Sequence, residues 1–145
     1  MMYTITGKVM YSPERKGLKP HQNKNVVIID LAEHHELAAY CRHLFREHYH
    51  VELLEPLFEL HLTIIKNKEI NQEAWGYKDG EEVEIALSEM PVLYWNEKYV
   101  WIDGETEIMK EIAEHYGVPK SYNMGHITIG RFKDHEQGIL GVSKR

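Results

Sequence analysis

His61-Leu62-Thr63-Ile64-Ile65 and His126-Ile127-Thr128-Ile129-Gly130 are the stretches whose reading decides the fold. Each sets a His-x-Thr triplet in an apolar, β-branched run, the composition of a buried strand. Residues i and i+2 of a strand share a face, so each triplet aims an imidazole and a hydroxyl together and its middle residue the other way. Two such strands beside one cleft would bring His61, Thr63, His126 and Thr128 to a single substrate. With ten histidines and five threonines in 145 residues, roughly 0.3 such triplets arise at random. Requiring an apolar residue inside each triplet and another after its Thr lowers the odds of a pair to on the order of one scrambled sequence in several hundred. The competing reading is two amphipathic strands whose His and Thr merely face solvent.

Outward from the triplets, the pattern alternates between the periods of strand and helix. Tyr3–Tyr11 reads as a strand ended by Ser12-Pro13, followed by a loop carrying Arg15, Lys16, Lys19 and Lys24 against Glu14 alone. Val26-Val27-Ile28-Ile29 has the composition of a short buried strand. Asp30, with Glu33 three residues on, marks a helix start by the capping-box pattern. Leu37, Cys41, Leu44 and His48, with Phe45 beside them, give that helix one apolar stripe. The first triplet lies on a strand predicted over Leu57–Ile65, and a polar stretch leads to another at Val83–Leu87. Val92–Trp95 and Lys98–Ile102 form a predicted hairpin about Asn96-Glu97. Ile108, Ile112 and Tyr116 then mark a helix that Gly117 ends and Pro119 keeps from resuming. The second triplet sits on a strand over Gly125–Phe132, and the last dozen residues read as a tail or short edge element. This order predicts a single α+β domain with antiparallel sheet.

Composition bounds the rest. A chain of 145 residues is one domain with room for a real core. Its one cysteine, Cys41, rules out an intrachain disulfide and suits a reducing, cytoplasmic setting. The N-terminus lacks the pattern of a signal peptide, and no apolar run nears the ~20 residues that span a membrane. A formal charge of −6 disfavours a protein that lives on polynucleotide backbone contacts. His48-Tyr49-His50 and His34-His35 invite a metal reading, but metal sites need three or four converging ligands. Solvated or capping roles are favoured, and no metal or cofactor is expected.

The paired triplets, one mid-chain and one near the C-terminus, resemble those of the two-histidine phosphoesterase superfamily. Its relatives include 2′-5′ RNA ligase-like proteins, cyclic phosphodiesterases and phage enzymes that destroy cyclic-nucleotide immune signals. The resemblance covers most of the chain as a pattern of elements: an aliphatic strand and helix before the first triplet, a strand pair and helix before the second. It implies two pseudo-symmetric lobes of antiparallel sheet with flanking helices around a central cleft, one triplet strand from each lobe. The chain departs from it at Asn123-Met124-Gly125, where many relatives carry a proline, and in a longer N-terminal region.

The chemistry that these residues suit is phosphodiester cleavage. One histidine strips a proton from the attacking hydroxyl or water and the other protonates the leaving oxygen. Thr63 and Thr128 donate to nonbridging oxygens as charge develops. Sequence leaves open which histidine is the base. Tyr11 and Trp75 are candidates for stacking on a base, with packing as the alternative for each. Tyr94, Trp95, Tyr99 and Trp101 read as sheet stabilisers. Arg131 lies five residues after His126, on the opposite face under strict alternation, and needs a bulge to reach phosphate. The basic loop is a candidate lid. The leading expectation is a metal-independent phosphodiesterase for a small nucleotide such as a cyclic dinucleotide or oligonucleotide, in the host cytoplasm were the chain phage-encoded. RNA end processing and a non-catalytic nucleotide-binding module are the alternatives.

Overall fold

Alternation of burial runs through the strands as the sequence period demands. In β1 (Met2–Tyr11), Gly7 and Val9 are buried while Thr4, Thr6 and Lys8 are exposed. The computed structural model describes residues 2–11, 26–66, 76–88, 91–118 and 125–133. Among them β1 is followed by β2 (Val27–Asp30), a 3-10 turn (Ala32–His34), α1 (His35–Tyr49) and β3 (His61–Ile65). β4 (Glu82–Ser88), β5 (Tyr94–Trp95), β6 (Tyr99–Asp103), α2 (Glu107–His115) and β7 (His126–Arg131) complete it. The strands form one curled seven-stranded sheet in the order β4-β1-β2-β3-β7-β6-β5, antiparallel at each pairing. The fold is α+β.

Both helices cover one face of this sheet. α1 buries Ala38, Cys41 and Phe45; α2 buries Ile108, Met109, Ile112 and Ala113. These side chains join Val9, Ile29, Leu62, Ile85, Ile102 and Ile127 in a single core. Full burial of a Leu, Ile or Phe side chain contributes roughly 1.5–3 kcal/mol, so the sheet's packed face is fixed by its apolar residues. The opposite face is left for polar side chains, because every second strand residue must point there.

The element order repeats. β1–β2–α1–β3 is strand, strand, helix, strand, and so is β5–β6–α2–β7. The sheet places β1-β2-β3 on one side of the β3–β7 junction and β7-β6-β5 on the other. The helices cross it: α1 packs on β7, and α2 on β3.

Several boundaries differ from the sequence reading. Asp30 ends β2 and its Oδ1 accepts the Ala32 N–H (3.1 Å), nucleating the 3-10 turn; α1 starts at His35 with no side-chain cap. Glu33 lies inside that turn rather than completing a capping box. The stripe of α1 centres on Ala38, Cys41 and Phe45, and His48 is exposed. Residues 57–60 are irregular and β3 begins at His61 itself. The hairpin turn at Asn96-Glu97 is present, its Asn96 Oδ1 accepting the N–H groups of Lys98 and Tyr99 (both 2.8 Å). That side-chain acceptor closes the turn in the way an Asx-turn does, without the usual glycine. Gly117, in left-handed conformation (φ 66°), ends the turn after α2 as expected.

Candidate active site

The register of two central strands builds the site. Leu62 of β3 pairs with Ile127 of β7, and both are fully buried on the helix face. Antiparallel counting from that pair sets His61 opposite Thr128 and Thr63 opposite His126. The Gly125 N–H donates to the Thr63 carbonyl (3.4 Å), holding the same end of the junction. All four side chains therefore share the face away from the helices, half-buried. Directly opposed pairs in antiparallel sheet have Cβ atoms about 4.5–5.5 Å apart. The two histidines therefore lie diagonally across the junction, at a spacing of roughly 7–8 Å for diagonal neighbours in antiparallel sheet. Among the described residues, neither Thr hydroxyl has a hydrogen-bond partner, so both are available to a ligand.

The outer neighbours repeat the correspondence residue by residue. Asp30 pairs with His61, Ile29 with Leu62 and Ile28 with Thr63; Asp103 pairs with His126, Ile102 with Ile127 and Trp101 with Thr128. Each triplet is then followed by a bulge. Val27 pairs with Ile65 and Val100 with Gly130, leaving Ile64 and Ile129 as the extra residues. A bulge inverts the alternation beyond it. Gly130 thereby faces the helix side, where an added Cβ would lie 3.0 Å from Leu53 Cδ1 and 3.3 Å from Arg42 Cδ of α1. Arg131, paired with Tyr99, turns to the histidine face. Strict alternation would have put it on the other side; Ile129 supplies the bulge it requires. Its Nε donates to the Glu55 carbonyl (2.9 Å). Lys66 holds the equivalent place after Ile65 and is exposed.

The two histidines differ in their surroundings. His61 Nδ1 lies 2.8 Å from the Glu59 carbonyl. A carbonyl only accepts, so Nδ1 carries the hydrogen of this bond. His126 Nε2 lies 3.5 Å from Asp103 Oδ1, and its ring stacks on Trp101 (centroids 4.9 Å, 21° between planes). Trp101 stacks in turn on Tyr94 across the hairpin (6.2 Å, 22°). Burial pushes the His126 pKa below its ordinary 6.5, against the opposing pull of the Asp103 carboxylate.

Other predicted site residues fall elsewhere. Tyr11 pairs with buried Val27 on the helix side of the sheet. Its hydroxyl donates to the Tyr77 carbonyl (2.6 Å) and accepts from Tyr116 (3.2 Å). It ties β1 to the turn at 76–80 and to α2, so its expected role in base stacking gives way to packing. Burial and the Tyr116 hydrogen bond raise its pKa. Trp75, the basic residues Arg15, Lys16, Lys19 and Lys24, and Asn123-Met124 lie outside the described residues. Trp95 packs against Phe45 and Tyr49 in the core, as expected of the hairpin aromatics. Tyr94 and Trp101 instead occupy the histidine face.

Asp103 and Trp101 beside His126 were not read from the sequence as site residues, yet a signal exists. Val27-Ile28-Ile29-Asp30 and Val100-Trp101-Ile102-Asp103 are one Val-x-Ile-Asp tetrapeptide used twice, each before a helix and a triplet. No family model, curated protein or solved structure matches this chain. Among the described residues, one cavity lies away from the triplet face and a smaller one borders it through Tyr94 and Asp103. The larger, about 420 Å³, sits between α1 and residues 55–60, lined by His35, Arg42, Glu55 and Phe58 among others. The smaller, about 120 Å³, is lined by Leu87, Pro91, Val92, Tyr94, Ile102 and Asp103. Among the described residues, no group of three or more His, Cys, Asp or Glu is placed to hold a metal ion, and no helix is long and apolar enough to cross a membrane.

Proposed function

We propose that this protein is a metal-independent phosphodiesterase for small nucleotides, built like a two-histidine phosphoesterase with β3 and β7 as the inner strands of two lobes. The observation that carries the reading is the Leu62–Ile127 pairing, because it sets both triplets on one face with His opposite Thr. The repeated strand–strand–helix–strand order supports the two-lobe description.

The chemistry follows from the geometry. A phosphodiester seated over the junction has an imidazole at each side and a hydroxyl beside each imidazole. One neutral histidine takes a proton from water as its oxygen bonds to phosphorus. The bond to the leaving oxygen breaks, and that oxygen takes a proton from the other, protonated histidine. Exchange with bulk water restores both. Thr63 and Thr128 donate to the nonbridging oxygens, an interaction that strengthens as their charge grows. The exposed Tyr94 and half-buried Trp101 offer a π-face at one end, suited to any nucleobase.

The test is turnover in EDTA of 3′,3′ cyclic dinucleotides, 2′,3′-cyclic nucleotides and 2′-5′ oligoadenylate, by wild type and His126→Ala. Cleavage of cyclic dinucleotides by wild type alone would establish degradation of signalling nucleotides. Cleavage of only the other two classes would move the protein to RNA end processing. Binding without turnover of any would make the face a receptor.

A further inference from the structure

We infer that the cavity of about 420 Å³ between α1 and residues 55–60 is an effector site for a small organic carboxylate, coupled to both triplet strands. Its effect on turnover rests on the phosphodiesterase reading; its occupancy rests on the cavity alone. His35, Ala38 and Arg42 fall three and four residues apart, so α1 presents them to the cavity on one face. Ala38 is small, and the floor between the two longer side chains is therefore only a methyl group. The facing wall holds Pro56, Leu57 and Phe58. Leu57 is exposed, so an apolar ligand body laid against it removes apolar surface from water.

Arg42 is the polar anchor. Its side chain is 18% exposed, and Nη1 donates to the Ile129 carbonyl (2.8 Å). Nη2 lies 4.0 Å from Glu55 Oε1, too far for a hydrogen bond, and the Glu55 side chain is 86% exposed. Among the described residues no acceptor meets Nη2, so the guanidinium is held in place with donors open to the cavity. A carboxylate matches such donors in geometry and charge. Glu55 and Glu59 also border the cavity, so one negative charge suits it better than the two of a phosphomonoester.

The cavity walls hold parts of both triplet strands. The guanidinium that would take the carboxylate also holds the carbonyl of Ile129, the bulge residue directly after Thr128. On the facing wall, the Glu59 carbonyl accepts from His61 Nδ1 (2.8 Å) and the Glu55 carbonyl from Arg131 Nε (2.9 Å). Residues 57–60 lie outside the sheet ladder, so a ligand against Leu57 and Phe58 shifts Glu59 more readily than it shifts a strand. Occupancy thereby resets His61 from one side and Thr128 from the other.

The experiment titrates the full chain with benzoate by proton–nitrogen-15 NMR, with benzamide and phenyl phosphate as the neutral and dianionic controls. Signals of α1, residues 55–60 and Ile129 should move and saturate with a Kd on the order of 1–10 mM. Both controls should bind the cavity at least about fivefold more weakly. Glu55→Gln, which removes a competing carboxylate at an exposed position, should tighten benzoate about twofold. Arg42→Gln and Ala38→Leu should each abolish saturation, the first by removing the anchor and the second by filling the floor. Signals of His61 and Thr128 should follow the same Kd and stay fixed in Ala38→Leu. No saturable shift up to about 50 mM benzoate, equal binding of benzamide, or saturation that survives both variants would overturn the site. Cavity shifts with His61 and Thr128 unmoved, or triplet shifts that persist in Ala38→Leu, would overturn the coupling. None of this needs turnover, so it stands or falls apart from the phosphodiesterase reading. With a cleaved substrate in hand, saturating benzoate should change kcat in wild type and not in Ala38→Leu; an unchanged wild-type kcat would overturn the effector role.

Discussion

Replacing Thr63 or Thr128 by valine separates catalysis from folding more sharply than any other change at this site. Valine keeps the β-branched shape that a strand favours and removes only the hydroxyl. Among the described residues neither hydroxyl has a hydrogen-bond partner, and both threonines are half-buried. No donor or acceptor is orphaned, so the stability change should stay within about 0.5 kcal/mol. At this chain length that corresponds to a Tm shift of roughly 2 °C or less. The catalytic effect is larger. A donor aimed at a developing oxyanion in an enclosed site is worth about 10²–10³ in kcat. The triplet face is more open, which reduces the expected loss to about 10–100-fold per threonine, or roughly 1.4–2.7 kcal/mol of transition-state free energy. KM should change little, and the double variant should lose more than either single one. Steady-state kinetics and a thermal melt on the same samples decide it. Valine variants that keep kcat within twofold would refute the hydroxyls as transition-state donors. A loss of rate accompanied by a Tm fall of several degrees would show that they serve the fold instead.

His61→Ala and His126→Ala should each lower kcat by at least about 10²-fold with an unchanged circular dichroism spectrum, and wild-type turnover should survive EDTA. Loss in EDTA with recovery on added zinc would contradict the metal-free mechanism. Folded His126 has a pKa below its unfolded value of 6.5, so under mild acid the unfolded chain binds more protons. Its contribution to stability is therefore full above pH 6.5 and is lost as pH falls below that toward the folded value. The Tm of wild type should fall more steeply than that of His126→Gln over that range, and parallel curves would contradict the shift. Gly104→Ala would place a Cβ 2.7 Å from Ile85 Cγ2 and 3.2 Å from Ile127 Cδ1. Overpacking of this kind costs about 1–3 kcal/mol, read as a fall of several degrees in Tm; an unchanged melt would mean that the neighbours yield freely.

Much of this site was legible because strand geometry needs so little information. Period-two alternation puts His61 with Thr63 and His126 with Thr128 on shared faces from sequence alone. That β3 and β7 are direct neighbours was not legible, since partner and register are set by how both helices cover the apolar face. The bulge at Ile129 escaped for a related reason. Ile129 and Gly130 are both buried, and a run of small or apolar residues carries no mark of where alternation slips. Arg131 was accordingly placed on the wrong face under the simplest rule. Asp30 was read as the start of a helix and instead nucleates a 3-10 turn, because an Asp at a strand end looks the same in either role. Tyr11 shows the limit of residue-type arguments: an aromatic at a strand end suits stacking, but its parity with Val9 had already put it on the packed side.

The measurement that bears most directly on the central claim is a crystal structure with a nonhydrolysable phosphorothioate diester of whichever nucleotide binds best. The account predicts the phosphorothioate over the β3–β7 junction, with its oxygens within about 2.6–3.2 Å of an imidazole nitrogen and a Thr hydroxyl from each strand. A ligand seated instead in the 420 Å³ cavity between α1 and residues 55–60, with the triplet face empty, would contradict it.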